Sequence, residues 1–141
     1  MTIPLLGSLP TIREGLPHVL KRDDGIIINM NGGRPVGGNG DACGKAGLME
    51  LTRIHAEEWK LLKRRVMVFG AGPELVRTEM TELQANTEAG RRWIPSTAES
   101  LREGKVRQPG EIARATIRLV SAAKLEWIGT SYNPDTDFVE W

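Results

Sequence analysis

The sequence predicts an α/β fold: about three parallel strands with flanking helices, part of a doubly wound arrangement. Three observations carry that expectation. Short apolar runs, partly β-branched, recur at 26–29, 66–69 and 125–131. Stretches with apolar residues three or four apart precede and separate them, the period of amphipathic helices. Strands alternating with long helices need right-handed crossovers, which leave the strands parallel. Third, the first strand runs into a glycine-rich loop that opens into a helix at Gly44-Lys45. In open α/β sheets such a unit is a usual place for cofactor or phosphate chemistry.

Taken in order, Ser8 is placed to cap a helix over about 9–22, with Pro10 in its first turn, where a missing N–H costs nothing. Ile12, Leu16, Val19 and Leu20 form its apolar stripe, and Pro17 is expected to kink or restart it. Asp23-Asp24-Gly25 turn the chain, and Ile26-Ile27-Ile28 read as a strand buried on both faces. A helix is expected from about 41 or 46 to 63, with Leu48, Leu51, His55, Trp59 and Leu62 on one face. Val66-Met67-Val68-Phe69 form the second strand, Gly70-Ala71-Gly72-Pro73 a turn, and residues 74–84 a short helix. Residues 85–108 are polar and read as a mobile substrate-loop region, although Ser96-Thr97-Ala98-Glu99 has capping-box spacing. Pro109 opens a last helix with Ile112, Ala113, Thr116, Ile117 and Val120 inward, and the third strand centres on Trp127 and Ile128.

Composition narrows the classes. A chain of 141 residues is one domain or part of one, and residues 1–141 read as a single domain. Apolar and charged contents of 40% and 26% are those of a globular protein. Nineteen basic against 18 acidic residues leave a net charge of +1, too little to favour nucleic acid. The one cysteine, Cys43, excludes an internal disulfide and points to a reducing, cytoplasmic setting. No apolar run approaches the ~20 residues that cross a bilayer, and the first residues lack the basic region of a secretory leader. Two histidines and one cysteine give no metal-ligand pattern. The loop before Lys45 fails as a phosphate loop, because Asn39 stands where a glycine is needed and Ala46 where a hydroxyl is needed. The four tryptophans, all beyond residue 58, read as core or interface residues.

An ordered series of short motifs resembles the short-chain dehydrogenase/reductase family. Leu16-Pro17-His18-Val19-Leu20-Lys21-Arg22 and Gly25-Ile26-Ile27-Ile28-Asn29 are similar to the helix and strand that lead to its catalytic serine. Lys45-Ala46-Gly47-Leu48, with Leu51-Thr52-Arg53, resembles its catalytic helix. Pro73-Glu74-Leu75-Val76-Arg77-Thr78 resembles its cofactor turn, and Pro109-Gly110-Glu111-Ile112-Ala113 and Trp127-Ile128-Gly129-Thr130 its last helix and strand. The resemblance implies a partial Rossmann-like fold and an ancestry in hydride transfer between NAD or NADP and an alcohol or ketone. Lys45, Pro73, Val76 and Thr78 are the cofactor-binding residues it implies, and Lys45 is also the catalytic lysine.

The departures from the pattern are as informative. The family's tyrosine lies four residues before the lysine, where this chain has Asp41. A carboxylate, ordinarily titrating near ~3.9, is a poor acid at neutral pH. The serine position falls near Gly32, the supporting asparagine near Pro4, and the glycine of the cofactor turn is Glu74. The family's N-terminal dinucleotide-binding half, which selects NAD or NADP, has no counterpart here. Alternative roles stand beside these. Lys45 could pair with Asp41 at i,i+4, Asp41 could be a helix N-cap, and Val76 and Thr78 could pack and cap. The expected function is a catalytically impaired oxidoreductase. The alternatives are a homo-oligomerising module built on helices near 9–22 and 46–63, or a fragment of a longer oxidoreductase.

Overall fold

A computed structural model describes residues 3–32, 39–129 and 131–132. Its elements are α1 (Ile3–Arg22), β1 (Gly25–Met30), α2 (Asn39–Leu61), β2 (Val66–Ala71), α3 (Glu79–Asn86), α4 (Glu88–Trp93), α5 (Pro95–Arg102), α6 (Pro109–Ala122) and β3 (Ser131–Tyr132). The strands form one parallel sheet in the order β1-β2-β3. Gly25 stands opposite Val66 and Met30 opposite Ala71, so β1 and β2 end together.

The central strand β2 anchors the core, with Val66, Val68, Phe69 and Ala71 all fully buried. Side chains alternate across a sheet. Ile27 and Val68, partners in register, lie in a cluster with Ala56 and Trp59 of α2 and Leu16, Val19 and Leu20 of α1. Ile28 and Phe69 lie in the second cluster, with Leu119 of α6. The turn after α1 is locked to the turn before β2. Asp23 takes a left-handed φ of 50°, and its carboxylate accepts from the Arg65 backbone N–H at 3.2 Å. Gly25 must be glycine: its φ is 146°, and a Cβ there would meet Val19 Cγ1 at 2.7 Å.

The structure moves several expected boundaries. Ser8 is no cap, because α1 begins at Ile3 and runs through both Pro10 and Pro17. Its packed stripe outweighs the two lost backbone donors, as tertiary burial commonly outweighs propensity. Asp41 lies inside the first turn of α2 and does not cap it. The buried face of α2 is Leu48, Thr52, Ala56 and Trp59, whereas Leu62 lies beyond the helix and is 67% exposed. The short helix expected at 74–84 starts only at Glu79, with Thr78 as its cap. Residues 85–108 hold two short helices, α4 and α5. Thr87 caps the first, accepting from Gly90 N–H at 3.1 Å, and Pro95 opens the second from an Ile94 cap, so the Ser96 capping box does not form. In α6 the inward residues are Ile112, Ala115 and Leu119; Ala113, Ile117 and Val120 face solvent. The pattern is rotated because Leu119 is the side chain in the cluster with Phe69. At 125–131 the expected strand is mostly a 3₁₀ turn, Leu125–Trp127, and only Ser131–Tyr132 pairs with β2. Ile128 is still buried in the core.

Of the tryptophans, Trp59 is core and Trp93 is half exposed beneath the Arg92 guanidinium. The side chain of Trp127 and all of Trp141, like the loop at 33–38, lie outside the described residues. No described helix is long and apolar enough to cross a membrane. Replacing Trp59 with Ala should cost roughly 3–5 kcal/mol, read as a lower urea midpoint. Leu62→Ala should stay within about 0.5 kcal/mol of wild type in the same titration.

Candidate functional site

The candidate site lies where β1 and β2 end, at the carboxyl edge of the sheet, the usual ligand side of an open α/β sheet. Asn31 continues past β1, and its backbone N–H donates to Ala71 O at 2.7 Å. Gly72 stands beside it: a Cβ at Gly72 would be 3.9 Å from Asn31 Cβ. Gly72 N–H in turn donates to Tyr132 O at 2.8 Å, so all three strand ends are tied together.

Two side-chain bonds fasten α2 to β1. Lys45 Nζ donates to Met30 O at 2.6 Å. About two turns further along the helix, Asn29 Nδ2 donates to Thr52 Oγ1 at 2.8 Å, and the Thr52 hydroxyl donates to Leu48 O at 2.8 Å. Asn29 and Thr52 are 5% and 2% exposed, so this pair is shut away from water. It fixes how far along β1 the helix sits, and therefore where Lys45 reaches. Asn29 and Thr52 are site residues that no motif marks as such; their only signal in the sequence is a polar residue closing an isoleucine run, and a threonine four positions after Leu48 on the helix face.

The structure brings Lys45 and Gly32 together. A Cβ at Gly32 would lie 3.4 Å from Lys45 Cε, so position 32 is beside the ammonium stem and offers it no hydroxyl. Asp41 is exposed in the first turn, and no described carboxylate forms an ion pair with Lys45; the expected Asp41–Lys45 pair is not formed. Pro73 is half buried after Gly72, and Glu74 is exposed. Val76 pairs with Arg107 through backbone bonds on either side: Arg77 N–H donates to Arg107 O at 2.8 Å, and Arg107 N–H to Leu75 O at 2.9 Å. Thr78 caps α3, its hydroxyl accepting from Thr81 N–H at 3.2 Å. Both residues thus have structural employment in addition to any ligand. Cys43 is an exposed free thiol. Farther along the outer face of α2, the Arg53 guanidinium, hydrogen-bonded to Glu50 and Glu57, holds the Glu50 carboxyl below the ordinary range. No described group of residues could hold a metal ion.

Neither a family profile nor any curated protein matches the chain. Solved structures do. A provisionally assigned NAD(P)-dependent gluconate 5-dehydrogenase from Beutenbergia cavernae, solved with NADP at low occupancy, superposes with a TM-score of 0.71 at 22% identity over 94% of this chain. The TT0495 protein of Thermus thermophilus superposes with a TM-score of 0.67 at 22% identity over 88% of it. In both cases this chain spans 53% of the neighbour's length. The fold is therefore a partial Rossmann-like one, of the kind found in the short-chain dehydrogenases.

Thr52→Val keeps the volume and removes the acceptor for Asn29. The buried amide left unpaired should cost roughly 1–3 kcal/mol in urea unfolding, whereas Thr52→Ser should recover most of the loss.

Proposed function

We propose that this chain is an oxidoreductase-like nucleotide-binding segment that retains the lysine of its site and has lost the proton-transfer chemistry. The observation that carries this reading is the trio Lys45, Gly32 and Asp41. Lys45 is held at the strand end by Met30 O, with a bare glycine beside it and an exposed carboxylate one turn earlier. Hydride transfer to a carbonyl needs a group that gives a proton to the oxygen and a donor that polarises it. A phenol at position 41 and a hydroxyl at position 32 would do both; aspartate and glycine do neither.

The residues fit one part of a nicotinamide nucleotide, whether NAD or NADP. The Lys45 ammonium has two N–H donors left after its bond to Met30 O, enough to hold a ribose diol. Gly72 leaves room for close approach. The Glu74 carboxylate, at the cofactor turn, works against a second anion there. A bound nucleotide would supply the hydride, while this chain's own part is to hold the sugar at Lys45 and to shape the strand ends around it. Val76 and Thr78 belong to this reading through their places in the turn.

Thermal melts with NADH and NADPH test it. Saturation at a hundred times the dissociation constant adds about 2.7 kcal/mol, an upward shift that Lys45→Ala should remove. NADP-dependent oxidation of gluconate, taken from the name of the Beutenbergia neighbour, and of simple secondary alcohols should stay at background. Turnover by the wild-type chain, or a melt indifferent to both nucleotides, would count against the proposal.

A second reading, self-association through α1 and α2, has its own support. Between these helices lies an apolar groove of about 290 Å³, lined by Leu9, Ile12, Leu16, Pro17, Leu20 and His55 among others. His55 stacks on Trp59 at 5.4 Å, and its buried Nδ1 has no hydrogen-bond partner. Elsewhere on α1 and at the end of α2, Leu6, Leu61 and Leu62 are 55%, 83% and 67% exposed. Sedimentation velocity should give a dimer that Leu9→Glu converts to monomer; a monomeric wild type would rule this reading out. The exposed Cys43 thiol suits a reducing, cytoplasmic setting.

A further inference from the structure

A separate cavity, of about 400 Å³, lies between α3 and α5 and shares no residue with the strand-end site. Its whole lining falls within residues 77–102. Just outside that stretch Val76 and Arg107 pair, and backbone bonds join the two ends. Both walls therefore belong to one continuous piece of chain that folds back on itself.

Small side chains leave the space open. Ala85 of α3 is buried, and Ala98 of α5 is half-buried beside Leu101; these three form an apolar floor. The rim is charged. Arg77, ahead of α3, and Arg102, in α5, both line the cavity, together with Glu82 and Asn86. Arg77 is fixed at both ends: its backbone N–H donates to Arg107 O at 2.8 Å, and its Nε to Glu82 Oε1 at 2.8 Å. The outer nitrogens of its guanidinium donate to no described residue. Arg102 has one long bond, from Nε to Ala98 O at 3.4 Å, and no described carboxylate pairs with it. Asn86 Nδ2 donates to Glu82 O at 2.9 Å, which leaves Oδ1 as an acceptor.

Two guanidiniums against one carboxylate leave a single positive charge on the lining. A monocarboxylate cancels it. A phosphate dianion would overshoot it and would face Glu82. The free guanidinium nitrogens match the two oxygens of a carboxylate. Glu82 and Asn86 offer acceptors, which suit hydroxyl groups on the same ligand. The volume is within the roughly 300–1,000 Å³ of small-molecule sites.

We infer that the cavity between α3 and α5 binds a small hydroxylated monocarboxylate. Its carboxylate bridges Arg77 and Arg102, its hydroxyls reach Glu82 and Asn86, and its carbon skeleton lies over Ala85 and Ala98. The ligand is held non-covalently, and the site depends neither on Lys45 nor on a nucleotide.

Calorimetric titration of the full chain with glycerate tests this. Glycerate should bind roughly tenfold tighter than its uncharged amide or inorganic phosphate, and tighter than propionate, which lacks the hydroxyls. Arg102→Gln, a change at an exposed position, should weaken glycerate binding roughly tenfold. Glu82→Gln keeps an acceptor for Arg77 and removes the negative charge, so phosphate should now bind tighter than glycerate. Lys45→Ala should leave glycerate affinity unchanged, which separates this site from the nucleotide reading. Equal affinity for glycerate and its amide, undiminished binding in Arg102→Gln, phosphate still excluded from Glu82→Gln, or no saturable binding would overturn the proposal.

Discussion

A buried amide without a partner costs more free energy than most single contacts return, and Asn29 sits where that cost would fall. Its donation to Thr52 Oγ1 at 2.8 Å spares the strand end this penalty and at the same time sets the helix register. Slide α2 by one residue and Thr52 leaves the amide, Lys45 leaves Met30 O, and Leu48 and Trp59 leave the core. The hydrophobic face of α2 and its two polar bonds to β1 therefore specify the same position. Agreement of that kind between packing and polar satisfaction is what gives a single native arrangement. The shape of the candidate site is a consequence of it.

The parts of the fold legible in the sequence were those with strong local chemistry. Three consecutive isoleucines in a short run make a strand whatever surrounds them, and Pro109 with Glu111 fixes a helix start, the Gln108 N–H donating to the Glu111 carboxylate at 2.6 Å. The parts not legible depend on tertiary packing. Pro10 reads as a first-turn residue and Pro17 as a kink, until the stripe of Ile12, Leu16 and Val19 carries one helix from Ile3 through both. The face of α6 could be read one position off because Ile117 and Val120 are as apolar as Leu119, and only the position of Phe69 decides between them. The 85–108 stretch lacks an apolar period, and its helices are held by short-range caps at Thr87 and Pro95 that a periodicity argument does not register.

The candidate site was legible in a different way. Resemblance to the short-chain dehydrogenase/reductase pattern singles out Lys45, Gly32 and Asp41, and the structure places the first two side by side at the strand end. Spacing could not show what fastens them there. A side chain that donates once to a backbone carbonyl and carries no described counter-ion can serve an anion or a diol.

Nucleotide binding through Lys45 is tested most directly by observing that side chain. With lysines labelled by ¹³C at the ε position and Lys45 assigned through Lys45→Arg, NADPH is titrated into the chain. A saturable shift of the Lys45 resonance is expected, with the exposed lysines 21, 60 and 63 unmoved. A Lys45 signal that stays fixed at millimolar NADPH would contradict nucleotide binding at this site and would leave the outer faces of α1 and α2 as the functional surface.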